Sequence, residues 1–467
     1  MSLREHIDTV WADDIVPALS DYIAIPALSP DFDADWKNSG HLDRAVDLIH
    51  HWCGARRING LSVEVMELPG RTPLLIAEVP ASNGGNNADT VMLYGHFDKQ
   101  PEMTGWRDDL GPWKPVVEND RLYGRGGADD GYAAFASLLA VEAAQAAGLP
   151  HNRIVMLIEG SEESGSSDLP VYLQALRERL GRVTLVLCLD SGCIDYERMW
   201  VTTSLRGMVQ AVLKVDVLTE GVHSGMASGV APSSFRIARN LLDRIEDSAT
   251  GRILLPECHV EIPADRVEQA RATGAMFTIG HDFPWAGGTQ PMTADPVDQL
   301  LATSWRPTLS VTGADGLPPT ARAGNVLRPT TSLKLSFRLP PTCDAARALA
   351  AVQRVLLADP PHGASVQLLD TKSENGWNAP AFAPWLQSVL DDSGQSTFGN
   401  PTMALGEGGS IPFMGLLGDM FPEAQFVITG VIGPDANAHG PNEYLHLPTA
   451  RRLTECLAHV LRAHATR

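Results

Sequence analysis

Three short apolar runs, residues 91–94, 154–158 and 183–189, each stop abruptly at polar residues, and this pattern most restricts how the chain can fold. The first leads into Gly95-His96-Phe97-Asp98. The second leads into Glu159-Gly160-Ser161-Glu162-Glu163-Ser164-Gly165-Ser166, and the third into Asp190. Each run has strand length and too few residues for a helix. Alanine-rich residues 133–147 and residues 169–180 lie between them and read as helices. Strand, helix, strand with polar groups at each strand's carboxyl end is the pattern of an α/β sheet, and those ends are where such sheets place ligands. His96 and Asp98 are two apart, so an extended backbone would turn both side chains to one face.

The chain has 467 residues, too many for one ordinary core, so two or three domains are expected. A content of 44% hydrophobic and 20% charged residues is that of a soluble globular protein. The formal net charge of -20 argues against nucleic acid as a partner, because its phosphates would be repelled. No apolar run reaches the roughly 18–20 residues needed to span a bilayer, so no membrane partner is expected. The amino-terminal residues carry acids where a signal peptide needs its apolar region. Cys53, Cys188, Cys193, Cys258, Cys343 and Cys456 are scattered without a CxxC pair, as in a reducing compartment. The expectation is a cytoplasmic protein.

Helical apolar spacing covers residues 3–25 and 41–53, with strands expected at 61–68 and 73–79. A hairpin is expected over 114–123. After about residue 205 the pattern changes. An alternating strand at 208–217, a helix at 232–245, strands at 308–311 and 331–338, a helix at 343–358 and a strand at 365–369 give a β-α-β-β-α-β order. That order suggests a small α+β, ferredoxin-like domain inserted into the larger one. Residues 250–305 read as irregular, and 372–380 as the return linker. The expected division is therefore 1–205, 206–380 and 381–467, with α/β character resuming in the last part through a helix at 382–393, a strand at 426–431 and a helix at 449–464.

Five strand ends or loops then present metal-type ligands: His96, Asp129, Glu162-Glu163, Asp190 and His439. Carboxylates combined with imidazoles suit Zn²⁺, Mn²⁺ or Co²⁺, and the absence of a cysteine cluster argues against a structural zinc ribbon. Two metals sharing a carboxylate, with a neighbouring acid left unbound as general base, form a usual arrangement for metal-assisted hydrolysis. Adjacent Glu162 and Glu163 fit that division. The glycines at 124, 126 and 127 do not make a GxGxxG dinucleotide loop, and two aspartates would face its pyrophosphate. Ser410 in Gly408-Gly409-Ser410 is not a GxSxG nucleophile elbow.

With these motifs in view, the chain resembles the M20 family of metallopeptidases, and within it the carnosinase-like, cytosolic non-specific dipeptidase branch. The motifs that carry the resemblance are Gly95-His96-Phe97-Asp98-Lys99-Gln100-Pro101, Leu122-Tyr123-Gly124-Arg125-Gly126-Gly127-Ala128-Asp129-Asp130, the 159–166 segment and Ala438-His439-Gly440-Pro441-Asn442-Glu443. The resemblance extends over essentially the whole chain. It implies two divalent metal ions, with Zn²⁺ first and Mn²⁺ or Co²⁺ as alternatives. His96 and Asp190 would bind one, Glu163 and His439 the other, and Asp129 would bridge them. Glu162 would be general base and acid on a bridging water, and Asp98 would hydrogen-bond His96 and set its tautomer. His223 in Val222-His223-Ser224-Gly225 would reach into the partner subunit's site and stabilise an oxyanion. Asn325 and Arg338 would contact substrate, Arg338 by bidentate pairing with its carboxylate. Gly409 and Ser410 would line the carboxylate pocket.

The resemblance also implies a homodimer formed through the inserted domain, which would double as a lid hinged to close over substrate. Two departures stand out: Gly131 replaces the usual Lys after the paired aspartates, and Gly440 replaces a common Ser. Neither touches a proposed ligand. The expected activity is hydrolysis of dipeptides or short peptides with a free C-terminal carboxylate. An N-acyl-amino-acid deacylase would use the same metals and base, and a non-catalytic metal-dependent binding protein is the reading from another class.

Overall fold

A computed structural model describes residues 2–281, 283–409 and 412–467. They form two compact units. The first comprises the chain up to Thr202 with Ala379–Ala404 and Leu416–Arg467, and the second comprises Thr203–Asn378 and Leu405–Gly415.

The first unit is built on a mixed, largely parallel sheet. Its strand order is Ser62–Met66, Leu74–Val79, Arg153–Glu159, Asp89–His96, Arg182–Cys188 and Gln425–Ile428, with Ile428 meeting Thr202 on the next strand. Asp89–His96 runs parallel to both Arg153–Glu159 and Arg182–Cys188. The three apolar runs picked out in the sequence are therefore neighbours, and their polar carboxyl ends emerge side by side. Alternate residues such as Val91, Leu93, Ile154, Met156, Leu185 and Leu187 share one core with the helices His41–Gly54, Tyr132–Ala146, Pro384–Phe398 and Leu447–Thr466. Tyr132–Ala146 is apolar nearly all round because its neighbours enclose it on every side.

One buried polar group in this core is expected to make the unit acid-sensitive. His464, on the last helix, is fully buried; its Nδ1 accepts from Asn152 Nδ2 at 3.1 Å and its Nε2 lies 2.9 Å from Thr184 Oγ1. Burial, helped by Arg467, pushes its pKa down from 6.5 to about 3. The unfolded chain therefore binds a proton near pH 6.5 that the folded chain refuses until far lower pH. Stability tied to His464 is complete above pH 6.5 and falls progressively as the pH drops toward 3. His464→Gln is expected to flatten that acid slope by an amount on the order of a few kcal/mol, read from urea melts at a series of pH values. An unchanged slope would exclude His464 as its source.

The second unit carries a four-stranded antiparallel sheet ordered Thr308–Asp315, Thr330–Leu339, Gly207–Asp216, Ser365–Glu374. In chain order this is second, third, first, fourth, the ferredoxin-like arrangement. Val209, Leu213, Val215, Leu335, Phe337 and Leu339 pack one face of it against the helices Ser234–Leu242 and Ala345–Leu357.

Three features depart from expectation. Residues 405–415 group with the second unit, not with the last part of the first, because the strand Met403–Glu407 pairs with Trp200–Leu205 and Thr203 Oγ1 donates to Leu405 O at 3.2 Å. The 250–305 stretch, read as irregular, contains the helices Ala264–Gly274 and Pro296–Ser304. The first of these has almost no apolar stripe, so its periodicity carried little signal. The 372–380 segment is not a plain linker: Ser365–Glu374 extends into it, and Trp377–Asn378 pairs with Leu205 and Ser204.

Candidate metal centre

The site assembles where the three parallel strands end. His96 is the last residue of Asp89–His96 and is buried. Its Nδ1 lies 3.1 Å from the carbonyl oxygen of Asp98 and 3.5 Å from the Asp98 carboxylate. The backbone carbonyl thus takes the Nδ1–H and leaves the Nε2 lone pair facing the site. The Asp98 carboxylate has another task. Its two oxygens accept the backbone N–H groups of Glu162 at 3.1 Å and Glu163 at 3.0 Å, holding the turn that follows Arg153–Glu159. Gln100 Nε2 donates to Glu163 Oε2 at 2.6 Å and orients that carboxylate.

Asp129 lies in the glycine-rich loop before Tyr132–Ala146, and each of its oxygens faces a different histidine. His96 Nε2 is 3.3 Å from Oδ1, and His439 Nε2 is 2.9 Å from Oδ2. Asp190 Oδ2 is 3.8 Å from His96 Nε2, and Glu163 Oε2 is 3.4 Å from His439 Nε2. Candidate ligand atoms of His96, Asp129 and Glu163 lie within 4.8 Å of one another, as do those of His96, Glu162 and Asp190. His96, Asp129, Glu162, Glu163, Asp190 and His439, which span much of the sequence, are brought together.

A buried ion pair ties the His439 loop to the Asp129 loop. Arg125 pairs with Glu443, whose other oxygen accepts from Gly126 N at 2.8 Å, while Arg125 Nη2 donates to Gly440 O at 2.9 Å. Both side chains are almost fully buried, and burial lifts the Glu443 carboxyl above its usual range. Glu443→Gln would leave the guanidinium buried without its counter-charge, at a cost of about 3–5 kcal/mol. A loss below about 1 kcal/mol in denaturant melts would show that the pair is not a structural tie.

The electrostatics suit cations. Burial opposes ionisation of Asp129, but the His439 and His96 imidazoles beside it hold its carboxyl well below the usual range. Glu162 and Asp130 are pushed well up by burial and by Asp190, and Glu163 up to about 8 by burial and Asp129. Burial opposes protonation of His439, yet Asp129 raises it to about 9. The protein alone thus supplies more buried carboxylate than it can neutralise. His96 Nε2 is buried and makes no well-directed hydrogen bond, and Asp130 Oδ1 is likewise unsatisfied. An unsatisfied imidazole nitrogen among carboxylates, with no thiolate near, fits divalent metal ions with a preference for mixed N and O ligands.

The structure gives a steric reason for Gly131. A Cβ there would lie 2.2 Å from the Tyr22 ring and 2.6 Å from Gly126 O. Tyr22 is fixed by its hydroxyl on Phe97 O at 2.9 Å and by the Lys99 ammonium 3.9 Å above its ring. Lys99, fully buried, donates to Tyr22 O and Ile25 O at 2.8 Å each and anchors the loop that carries Asp98. At Gly440 a Cβ would meet the Asn437 side chain at 2.4 Å.

Sequence reasoning did not pick out Gln100, Lys99, Arg125 or Glu443 for these tasks. All four lie inside the motifs, but their partners are remote in sequence.

The remaining candidates belong to the second unit. His223 is exposed and pairs with Val326 on a two-residue ladder, while Ser224 N donates to Asn325 O at 2.9 Å, so His223 and Asn325 are neighbours. Arg338 is half-buried on Thr330–Leu339. Gly409 presents its carbonyl to Arg206 N at 3.1 Å. Ser410 lies outside the described residues.

The chain is similar to known proteins over most of its length. Residues 92–463 match the profile of peptidase family M20/M25/M40. The chain is 28% identical over 368 residues to a cysteinylglycine-S-conjugate dipeptidase of Corynebacterium striatum, covering 76% of this chain and 77% of that enzyme. It is 28% identical over 268 residues to a Beta-Ala-His dipeptidase of Homo sapiens, covering 56% of this chain and 52% of that enzyme. Its fold is similar to that of the dipeptidase Dug1p of Saccharomyces cerevisiae, with a TM-score of 0.78 and 21% identity over 100% of this chain and 98% of that one. The chain belongs to peptidase family M20/M25/M40.

Proposed function

We propose that this protein is a metal-dependent dipeptidase that hydrolyses dipeptides or short peptides bearing a free C-terminal carboxylate. One observation supports this most: a single buried carboxylate, Asp129, turns its two oxygens to two different histidines, and Glu162 gathers with one of them, His96, and with Asp190. In this reading His96 and Asp190 hold one divalent ion, Glu163 and His439 a second, and Asp129 serves both. Bound there, such ions polarise a peptide carbonyl and make a water acidic enough to attack near neutral pH. Zn²⁺ fits the ligand set, as do Mn²⁺ and Co²⁺.

The side chains of this chain do the rest. Glu162 takes the proton from the attacking water and passes it to the departing amine nitrogen. Asp98 fixes the backbone of both glutamates, and its carbonyl keeps His96 in the tautomer that presents Nε2. Arg338 pairs with the substrate carboxylate. Asn325 contacts substrate, and His223 acts on it from a second copy of the chain, in a homodimer formed through the second unit. Exposed Met226 and Val230, 83% and 88% accessible close to His223, support a covered surface there.

The test is hydrolysis of free dipeptides and N-acyl amino acids by chelated protein resupplied with Zn²⁺, Mn²⁺ or Co²⁺ separately. Metal-dependent release of amino acids from dipeptides is expected. Turnover of N-acyl amino acids alone would replace the reading with a deacylase, and silence with metal bound would point to a binding protein.

A further inference from the structure

Two arginines of the second unit stand together, with no acid paired to either among the described residues. Arg338 lies opposite Met208 on one neighbouring strand and opposite Thr308 on the other. Arg206, just before the strand of Met208, reaches the same face: its Nη1 donates to the hydroxyl of Thr308, the residue opposite Arg338. This is the face turned away from the core, since Val209, Phe337 and Leu339 pack on the opposite one.

Among the described residues, Arg206 donates to neutral acceptors. Its Nε donates to Gly408 O at 3.3 Å, and its Nη1 to Ala302 O and Thr308 Oγ1 at 3.4 Å each. A Cβ on Gly408 would come within 3.0 Å of Arg206 Nη2, so the glycine lets the 406–409 backbone lie against the guanidinium. Among the described residues neither Arg206 nor Arg338 forms an ion pair, and the Arg338 side chain makes no hydrogen bond. The chain holds 56 acidic against 36 basic residues, so leaving two adjacent guanidiniums without an acid runs against its composition. Burial and the Arg338 charge push the Arg206 pKa down to about 10. Like charges kept half-buried side by side repel, and an anion placed between them relieves the repulsion.

We propose that Arg206 is a specificity-determining residue, the second guanidinium of a subsite that takes the C-terminal carboxylate of the substrate beside Arg338. This rests on the dipeptidase reading. A carboxylate offers one oxygen to each guanidinium. A C-terminal amide brings no charge and turns N–H donors toward donors, so the pair should reject it.

The test compares a dipeptide with its C-terminal amide on the metal-loaded full chain, in wild type, R206Q, R206K and R338Q. Steady-state kinetics supplies kcat and KM. Calorimetric binding in an E162Q background, where turnover should be suppressed, supplies affinity independently of catalysis. R206Q is expected to weaken binding of the free acid by about 10–100-fold while changing that of the amide little, with KM rising more than kcat falls. R206K should fall between. An acid-to-amide ratio that stays at the wild-type value in both R206Q and R206K overturns the proposal, as does equal binding of acid and amide by the wild type. Should R206Q fail to fold, R206K alone decides. Absence of turnover in wild type would defeat the dipeptidase reading, and the calorimetric ratio would then judge Arg206 by itself.

Discussion

Glu162→Gln is expected to lower kcat by about 10²–10⁴-fold while both metal ions stay bound. The substitution keeps the shape of the side chain and leaves the backbone N–H of residue 162 on Asp98. None of the five proposed ligands is altered, and metal content measured on the purified variant should match that of wild type. What disappears is a group able to accept a proton from water and return it to the leaving nitrogen. KM should change far less than kcat, because substrate contacts are left in place. Full turnover in this variant would remove Glu162 from the mechanism. Loss of metal together with turnover would make it a ligand instead, an assignment that its proximity to His96 and Asp190 makes worth excluding.

Chelation should have the second large effect, on activity and stability together. Turnover should vanish and return on adding back a divalent ion, which would identify the metals that support catalysis. Ions that bind only the folded chain stabilise it by about 2.7 kcal/mol per site at a free concentration of 100 Kd. Their removal also leaves Asp129, Asp130, Glu162, Glu163 and Asp190 crowded together around the imidazoles of His96 and His439. The melting temperature should drop by several degrees on chelation and recover with metal. Asp129→Asn, which replaces one oxygen of the carboxylate that faces both histidines, should blunt that recovery. A melting temperature indifferent to chelator in the wild type would argue that the cluster does not bind metal tightly.

Much of the site was legible because its residues sit at strand ends that announce themselves locally. An apolar run followed by Gly-His-Phe-Asp or by Glu-Gly-Ser-Glu-Glu can be read without knowing what lies beside it. The same holds for the ferredoxin-like order of the inserted unit, whose strands alternate and whose helices carry clear apolar stripes. Where such a signal was weak, as along Ala264–Gly274, the helix was missed. Partner choice was harder. Spacing pairs Asp98 with His96; in the structure both its carbonyl and its carboxylate face the imidazole, and the carboxylate also caps the turn of Glu162 and Glu163, a task the spacing does not record.

What the sequence by itself determined was the inventory: strands buried in a sheet, polar residues at their carboxyl ends, and ligand types suited to divalent metal. Period and burial are properties of neighbouring residues, so they survive in a linear text. The tertiary structure alone decided which remote residues meet. It placed Asp129 between His96 and His439, locked Arg125 on Glu443, put Tyr22 where a side chain at 131 would stand, and set Arg206 beside Arg338. These pairings follow from strand order and register, and a residue's type does not record which strand will lie next to its own.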